Sequence, residues 1–208
     1  MAKSPVGDGV RELRGWAHRS REQLDLLRKQ ARGSNVLEIL DTLESSHISY
    51  LVAGGWGVDA LLGHQTRKHR DLDVVLPGFE VDEPKARQAL SALGFTRRSQ
   101  RPAGIWMPIQ SLLVNRAGHQ IELLSIDLDR IGASLGQTQQ PEAGAVDTQD
   151  LPIAASGAIE GRRVPCLSIE VQLLAHSGYE ARPSDQRDVH ELEELRDALG
   201  KRASGRDG

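Results

Sequence analysis

Asp71 and Asp73 in "RDLDVVLP" alternate with apolar residues, and a strand's period of two would place both carboxylates on one face. Leu72, Val74 and Val75 would anchor that strand in a core. Two carboxylates held together beside apolar surface repel unless a cation lies between them, and a divalent ion with oxygen ligands, Mg²⁺, answers that need. Shortly before the pair, Gly54 and Gly55 interrupt an apolar run, and Arg67, Lys68, His69 and Arg70 form a basic cluster. Where a strand ends and a helix starts, missing side chains let backbone amides approach a phosphate, and the helix N terminus adds favourable potential. Glycine turn, basic cluster and carboxylate pair together suit a triphosphate and its metal, and hence phosphoryl or nucleotidyl transfer. No "GKS" or "GKT" follows the glycines, so the stretch is not a Walker motif, nor is it a dinucleotide fingerprint.

The spacing of the aspartates is weak evidence by itself, because Asp127 and Asp129 in "SIDLDRIG" repeat it where a strand runs out into a loop. That second pair reads as turn-forming and solvated. Metal-assisted phosphoryl chemistry usually requires a further carboxylate, as ligand or as the base that takes the acceptor's proton. Glu122 in "HQIELLSI" fits, since an acid among apolar residues of a core strand is costly without a partner. Asp127 is the reserve candidate, on the opposite face if the alternation persists.

The elements that must hold these residues are legible as an α+β chain, a mixed sheet flanked by helices with helices at the C-terminal end. Val36, Ile39, Leu40 and Leu43 fall at helical spacing behind Ser34 or Asn35 as cap, and "ISYLVA" reads as a strand ended by Gly54. "WGVDALLG" predicts a short helix closed by Gly63, "DLDVVLP" a strand stopped by Pro77, and "EPKARQALSALG" a helix stopped by Gly94. "FTRRS", "GIWM", "SLLVN" and "QIELLSI" read as strands, and residues 132–150 as a long polar loop, a candidate lid or acceptor-site wall. "GAIEGRRVPCLS" suggests a hairpin leading to Ser168 as a cap. Helices follow at about 169–178 and 184–199, the last capped by Ser184 with Val189, Leu192, Leu195 and Leu199 as its apolar stripe.

A chain of 208 residues can bury one good core. The expected organisation is a basic N-terminal arm and helix over 1–33, a catalytic domain over 34–200 and a disordered tail over 201–208. A net charge of −3 gives no global field that would draw nucleic acid, and only the basic arm is suited to hold a polymer. The lone Cys166 excludes an internal disulfide and a cysteine zinc cage. Neither a secretion signal nor a run of apolar residues long enough to span a bilayer is present, so a cytoplasmic protein without membrane contact is expected.

"GGWGVDALLGHQTRKHRDLDV" resembles the signature of antibiotic nucleotidyltransferases of the DNA polymerase β-like nucleotidyltransferase fold, particularly the small lincosamide nucleotidyltransferases and the related aminoglycoside 2''-nucleotidyltransferases. The glycine pair, the tryptophan, the aspartate at Asp59, an arginine, a histidine and two aspartates recur at the same spacing. "IWMP", "QIELLSIDL" and "VPCLSIEVQLLAHSGYEARPSDQRDVHEL" resemble later segments of the lincosamide enzymes, so the similarity runs over about residues 36–198.

The resemblance implies that Gly54 and Gly55 hold the nucleotide's phosphates, that Asp71 and Asp73 bind Mg²⁺, and that Glu122 is the third carboxylate. Arg67 and His69 would contact phosphate or brace their loop against Asp59. Trp106, His176 and Tyr179 are the candidate substrate-pocket residues, while Asp185 and Asp188 suit helix capping and ion pairing. The implied reaction is Mg²⁺-dependent transfer of a nucleoside monophosphate, AMP from ATP, to a hydroxyl of a small molecule, a lincosamide- or aminoglycoside-like antibiotic, with release of pyrophosphate. Two alternatives share the fold: an antitoxin-type nucleotidyltransferase that modifies a protein partner, and a nucleotide-binding relative without catalysis. A homodimer is compatible with the sequence. Glu122 departs from the family, whose third carboxylate is commonly aspartate. In the lincosamide enzymes histidine and proline come one residue later, where Leu124 and Ser125 stand here. Placement of a base is sensitive to about 1 Å, so rate and acceptor choice turn on that difference.

Overall fold

The computed structural model describes residues 33–138, 153–177 and 181–204. Helix α1 (Gly33–Ser45) buries Val36, Ile39, Leu40 and Leu43, the apolar face read from their spacing, although it begins before either expected cap. Strand β1 (Leu51–Ala53) leads directly into helix α2 (Gly54–Leu62), so the two glycines form the helix's first turn. Gly63 ends α2 in the left-handed conformation, its N–H bonded to the Asp59 carbonyl. Strand β2 (Asp71–Val75) and helix α3 (Phe79–Leu90) follow, and a 3₁₀ turn stops at Gly94 with φ 79°.

Strands β3 (Thr96–Pro102), β4 (Ile109–Val114) and β5 (Gln120–Leu124) form an antiparallel meander. "GIWM", expected to be a strand, is the loop between β3 and β4: Ala103 N–H bonds Pro108 O and Gly104 N–H bonds Met107 O, closing it on itself. Helix α4 (Leu128–Thr138) occupies the first part of the expected polar loop. Ile131 and Leu135 are buried at a helical interval, and the Asp127 carboxylate accepts from Arg130 N–H at the helix start. The rest of that expected loop lies outside the described residues. Strands β6 (Ala154–Ile159) and β7 (Arg162–Leu167) form the expected hairpin, turned by Glu160 and Gly161 at φ 49° and 80°.

Ser168 caps helix α5 (Ile169–Ala175) by accepting from Val171 N–H. Helix α6 (Pro183–Ser204) starts one residue before Ser184 and continues four residues into the expected tail. Its first turn is held by Asp185, whose carboxylate accepts from the Arg182 backbone N–H at 3.1 Å, where Ser184 was the expected cap. The expected arm lies outside the described residues except for Gly33, as do 205–208.

All seven strands join one mixed sheet in the order β3-β4-β5-β2-β1-β7-β6. β2 runs antiparallel to β1 but parallel to β5. Leu72, Val74, Ile121 and Leu123 face a core shared with α1 and α3, while Val75 and Leu124 point to a second core with Ile131, Leu135, Leu167 and Val171. The alternation of β2 and β5 thus sends Asp71, Asp73 and Glu122 to the second face, just beyond the apolar residues that pin the strands.

Candidate active site

The parallel register sets Asp73 opposite Glu122 and Asp71 opposite Gln120. Asp71, Asp73 and Glu122 are half-buried and line one polar cavity of about 540 Å³ together with Gly54, Gly55, Arg67, Lys68, Arg70, Arg101 and His176. Burial raises the pKa of Asp73 well above the carboxylate range, reinforced by the charges of Asp71 and Glu122. Glu122 is raised as well, by burial and by Asp71, while hydrogen bonds from Asp73 and Gln110 and the charge of Arg101 pull it back. Burial and mutual repulsion thus both favour a proton on this pair of acids.

That donor set fits Mg²⁺. Among the described residues no three His, Cys, Asp or Glu side chains close a metal cage on their own. Mg²⁺ is commonly held by one or two carboxylates, with water and substrate phosphates completing the octahedron.

Gly54 adopts φ 57°, and a Cβ there would collide with the Asp73 carboxylate. A Cβ on Gly55 would collide with the His69 ring and the Arg67 guanidinium. The glycine pair is therefore required first by the protein's own side chains, which close over the start of α2; both glycines still line the cavity.

The loop from Gly63 to Arg70 is built around Asp59, buried on α2. One carboxylate oxygen accepts from Thr66 N–H at 2.9 Å and Thr66 Oγ1 at 2.7 Å; the other meets His69 Nε2. Burial alone would raise the Asp59 pKa, but these hydrogen bonds outweigh it and hold the group below the usual range. His69 is itself buried, its ring centroid 4.8 Å from that of Trp56. Of the two roles expected for His69, the structure shows the bracing one.

Arg67 makes a bidentate pair with Asp188 of α6, Nε at 2.9 Å and Nη2 at 2.5 Å. Burial works against its charge, but the Asp188 hydrogen bonds raise its pKa further. Arg182 pairs likewise with buried Asp185 at 3.0 Å. Both aspartates thus serve in ion pairs and capping, as expected, and the Arg67–Asp188 pair fastens the C-terminal helix to the loop after α2. His176 lies half-buried in the same wall, where burial lowers its pKa. Lys68 and Arg70 are exposed at the cavity and make no ion pair among the described residues. Arg67 lines the same cavity while paired with Asp188.

A second cavity of about 620 Å³ adjoins the first and shares Gln110 and Glu122 with it. Ile105, Trp106, Met107, Leu124 and Ala175 make its wall largely apolar. Trp106 therefore belongs to this second chamber, His176 to the first, and Tyr179 lies outside the described residues. Reasoning from sequence missed Gln110 and Arg101. A buried glutamine on an otherwise apolar strand, "IQSLLV", was the available signal for the first.

Comparison with known proteins agrees with this geometry. Residues 35–192 match the family described as aminoglycoside-2''-adenylyltransferase. The lincosamide resistance protein of Staphylococcus haemolyticus is 32% identical over 169 residues, covering 79% of this chain and 99% of that protein. Among solved structures, the lincomycin-bound lincosamide antibiotic adenylyltransferase LnuA superposes with a TM-score of 0.58 at 28% identity, over 80% of this chain and 99% of that one. ANT(2'')-Ia in complex with adenylyl-2''-tobramycin shares the fold, with a TM-score of 0.54 at 20% identity over 82% and 98% of the two chains. The chain thus belongs to the aminoglycoside-2''-adenylyltransferase family of antibiotic nucleotidyltransferases.

Proposed function

We propose that the protein transfers AMP from ATP to a hydroxyl of an antibiotic of the lincosamide or aminoglycoside class. The observation that carries this reading is the pair of adjoining cavities, one polar with Asp71 and Asp73, one apolar with Trp106, which meet at Glu122. The triphosphate would lie in the polar chamber, against the N-terminal amides of α2 and the cations Lys68 and Arg70. The acceptor's apolar body would lie on Trp106, Ile105 and Met107.

Asp71 and Asp73 would hold Mg²⁺, which supplies charge neutralisation at the α-phosphate and the leaving pyrophosphate. Glu122 would accept the proton of the attacking hydroxyl as its oxygen bonds the α-phosphorus; the bond from that phosphorus to the bridging oxygen breaks and pyrophosphate departs. Arg67 and His69 would act indirectly, by holding the loop that presents Lys68 and Arg70. The lincosamide relative's identity over nearly its whole length, together with the apolar second chamber, favours a lincosamide as the first acceptor to try.

The test is incubation with Mg-ATP and a panel of lincosamides and aminoglycosides, followed by product mass and pyrophosphate release. An adenylylated antibiotic, lost on Asp73→Ala, supports the reading; absence of product with every acceptor refutes it. ATP binding that persists without product would identify a non-catalytic relative.

A further inference from the structure

We propose that Gln110 is a positioning residue for Glu122, itself aligned by Arg101 on the edge strand. The proposal rests on the reading of Glu122 as the carboxylate that meets the acceptor hydroxyl. β3, β4 and β5 carry Arg101, Gln110 and Glu122 on one face: Arg101 is directly opposite Gln110, and Gln110 is opposite Leu124, one diagonal step from Glu122. Such diagonal neighbours are within reach of long side chains.

The chemistry of the contacts determines how the amide lies. Arg101 Nε donates to Gln110 Oε1 at 2.9 Å, and a guanidinium has only donors to offer. The carbonyl end of the amide is therefore committed to Arg101. The NH₂ end is left for the Glu122 carboxylate, the diagonal neighbour that lines the same two cavities. A glutamine without the arginine has two orientations, one of which would present an oxygen to the carboxylate. Arg101 removes that choice.

Gln110 is buried, lines both chambers and stands where they join, so its amide holds the Glu122 carboxylate from the side opposite Asp73. A glutamate has one more rotatable bond than an aspartate. The Gln110 clamp removes that added freedom from Glu122. The clamp and the longer acid belong together.

The experiment compares wild type with Gln110→Met, which keeps length and shape but has no amide, and with Arg101→Met and Arg101→Lys. For Gln110→Met, kcat should fall about ten- to a hundredfold while the KM values for ATP and antibiotic each change less than about threefold. Arg101→Met should show a smaller loss of the same kind, largely restored in Arg101→Lys, which keeps a donor. Crystal structures of wild type and Gln110→Met provide a readout independent of turnover: the Glu122 carboxylate should turn away from its place opposite Asp73 in the variant only. Unchanged Glu122 orientation, or KM changes without loss of kcat, overturns the proposal. Should wild type adenylylate no antibiotic, the functional reading fails, and the Glu122 orientation alone then decides the positioning role. Should Gln110→Met not fold, the Arg101 pair decides it: kcat at the wild-type value in both overturns it.

Discussion

Asp73 of β2 and Glu122 of β5 stand directly opposite each other in a parallel strand pair although both are acids. Burial, then Asp71 and each other's charge, raise both pKa values, so the folded protein retains a proton that the unfolded chain would release. Stability is accordingly full below the ordinary carboxylate pKa and is lost as pH rises through the raised values. In the presence of a chelator, the melting temperature of wild type should fall more steeply than that of Asp73→Asn as pH rises above the ordinary carboxylate pKa. Equal slopes in the two proteins would contradict the pairing. On the proposed function, in which Asp73 holds Mg²⁺, Asp73→Asn should at the same time reduce adenylyl transfer at least about a thousandfold, a loss of several kcal/mol of transition-state stabilisation.

Gly54 and Gly63 separate two reasons for a glycine. Both have positive φ, but a Cβ on Gly54 meets the Asp73 carboxylate while one on Gly63 meets open space. Gly63→Ala should cost about 1 kcal/mol of stability with kcat nearly unchanged. Gly54→Ala should cost more stability and also displace Asp73, lowering kcat by about a hundredfold or more. Denaturant unfolding and steady-state kinetics on the two variants make the comparison.

His69 and Arg67 each compensate a buried aspartate, Asp59 and Asp188 respectively. Removing one member of such a buried pair leaves a charge without its partner, so His69→Ala and Arg67→Ala should each destabilise by about 3 kcal/mol. Arg67→Lys should recover little, because an ammonium cannot reproduce the two-pronged contact. Double-mutant cycles with Asp59→Asn and Asp188→Asn measure the coupling. Additive effects in either cycle would show that the pair is not energetically linked.

Trp106→Ala should raise the KM for antibiotic about tenfold or more while the KM for ATP is hardly changed, since the ring lies in the apolar chamber away from Lys68 and Arg70. His176→Ala, in the polar chamber, should show the opposite bias. A shift of both constants together in Trp106→Ala would mean that the chambers are not separate binding sites.

The carboxylates were readable because their signals are local. Asp71 and Asp73 alternate with residues that turn out to be fully buried, and Glu122 sits between Ile121 and Leu123, also fully buried. Gln110 and Arg101 were not readable as site residues, since their importance depends on strand register with β5, a non-local property. Helix α4 was hidden by Gly132 and Gly136, weak helix formers that made an amphipathic turn look like a loop. The glycine pair was recognised, but its nearest constraint is an internal one: Asp73 comes from a later strand, and only the folded β1–β2 pair brings it over Gly54.

Between β2 and β5, which must pair to place the carboxylates, the chain makes an excursion through α3 and the β3–β4 hairpin. That hairpin ends at the rim of the sheet, and its loop supplies Ile105, Trp106 and Met107 to the second chamber. On the proposed function, chemistry and recognition are thereby wired to different parts of the chain: the loop tip could be exchanged for another sequence while the strand pair carrying the acids keeps its register. On that reading the scaffold lends itself to acceptor swapping by loop grafting, provided that Gln110, at the base of the loop, stays in place.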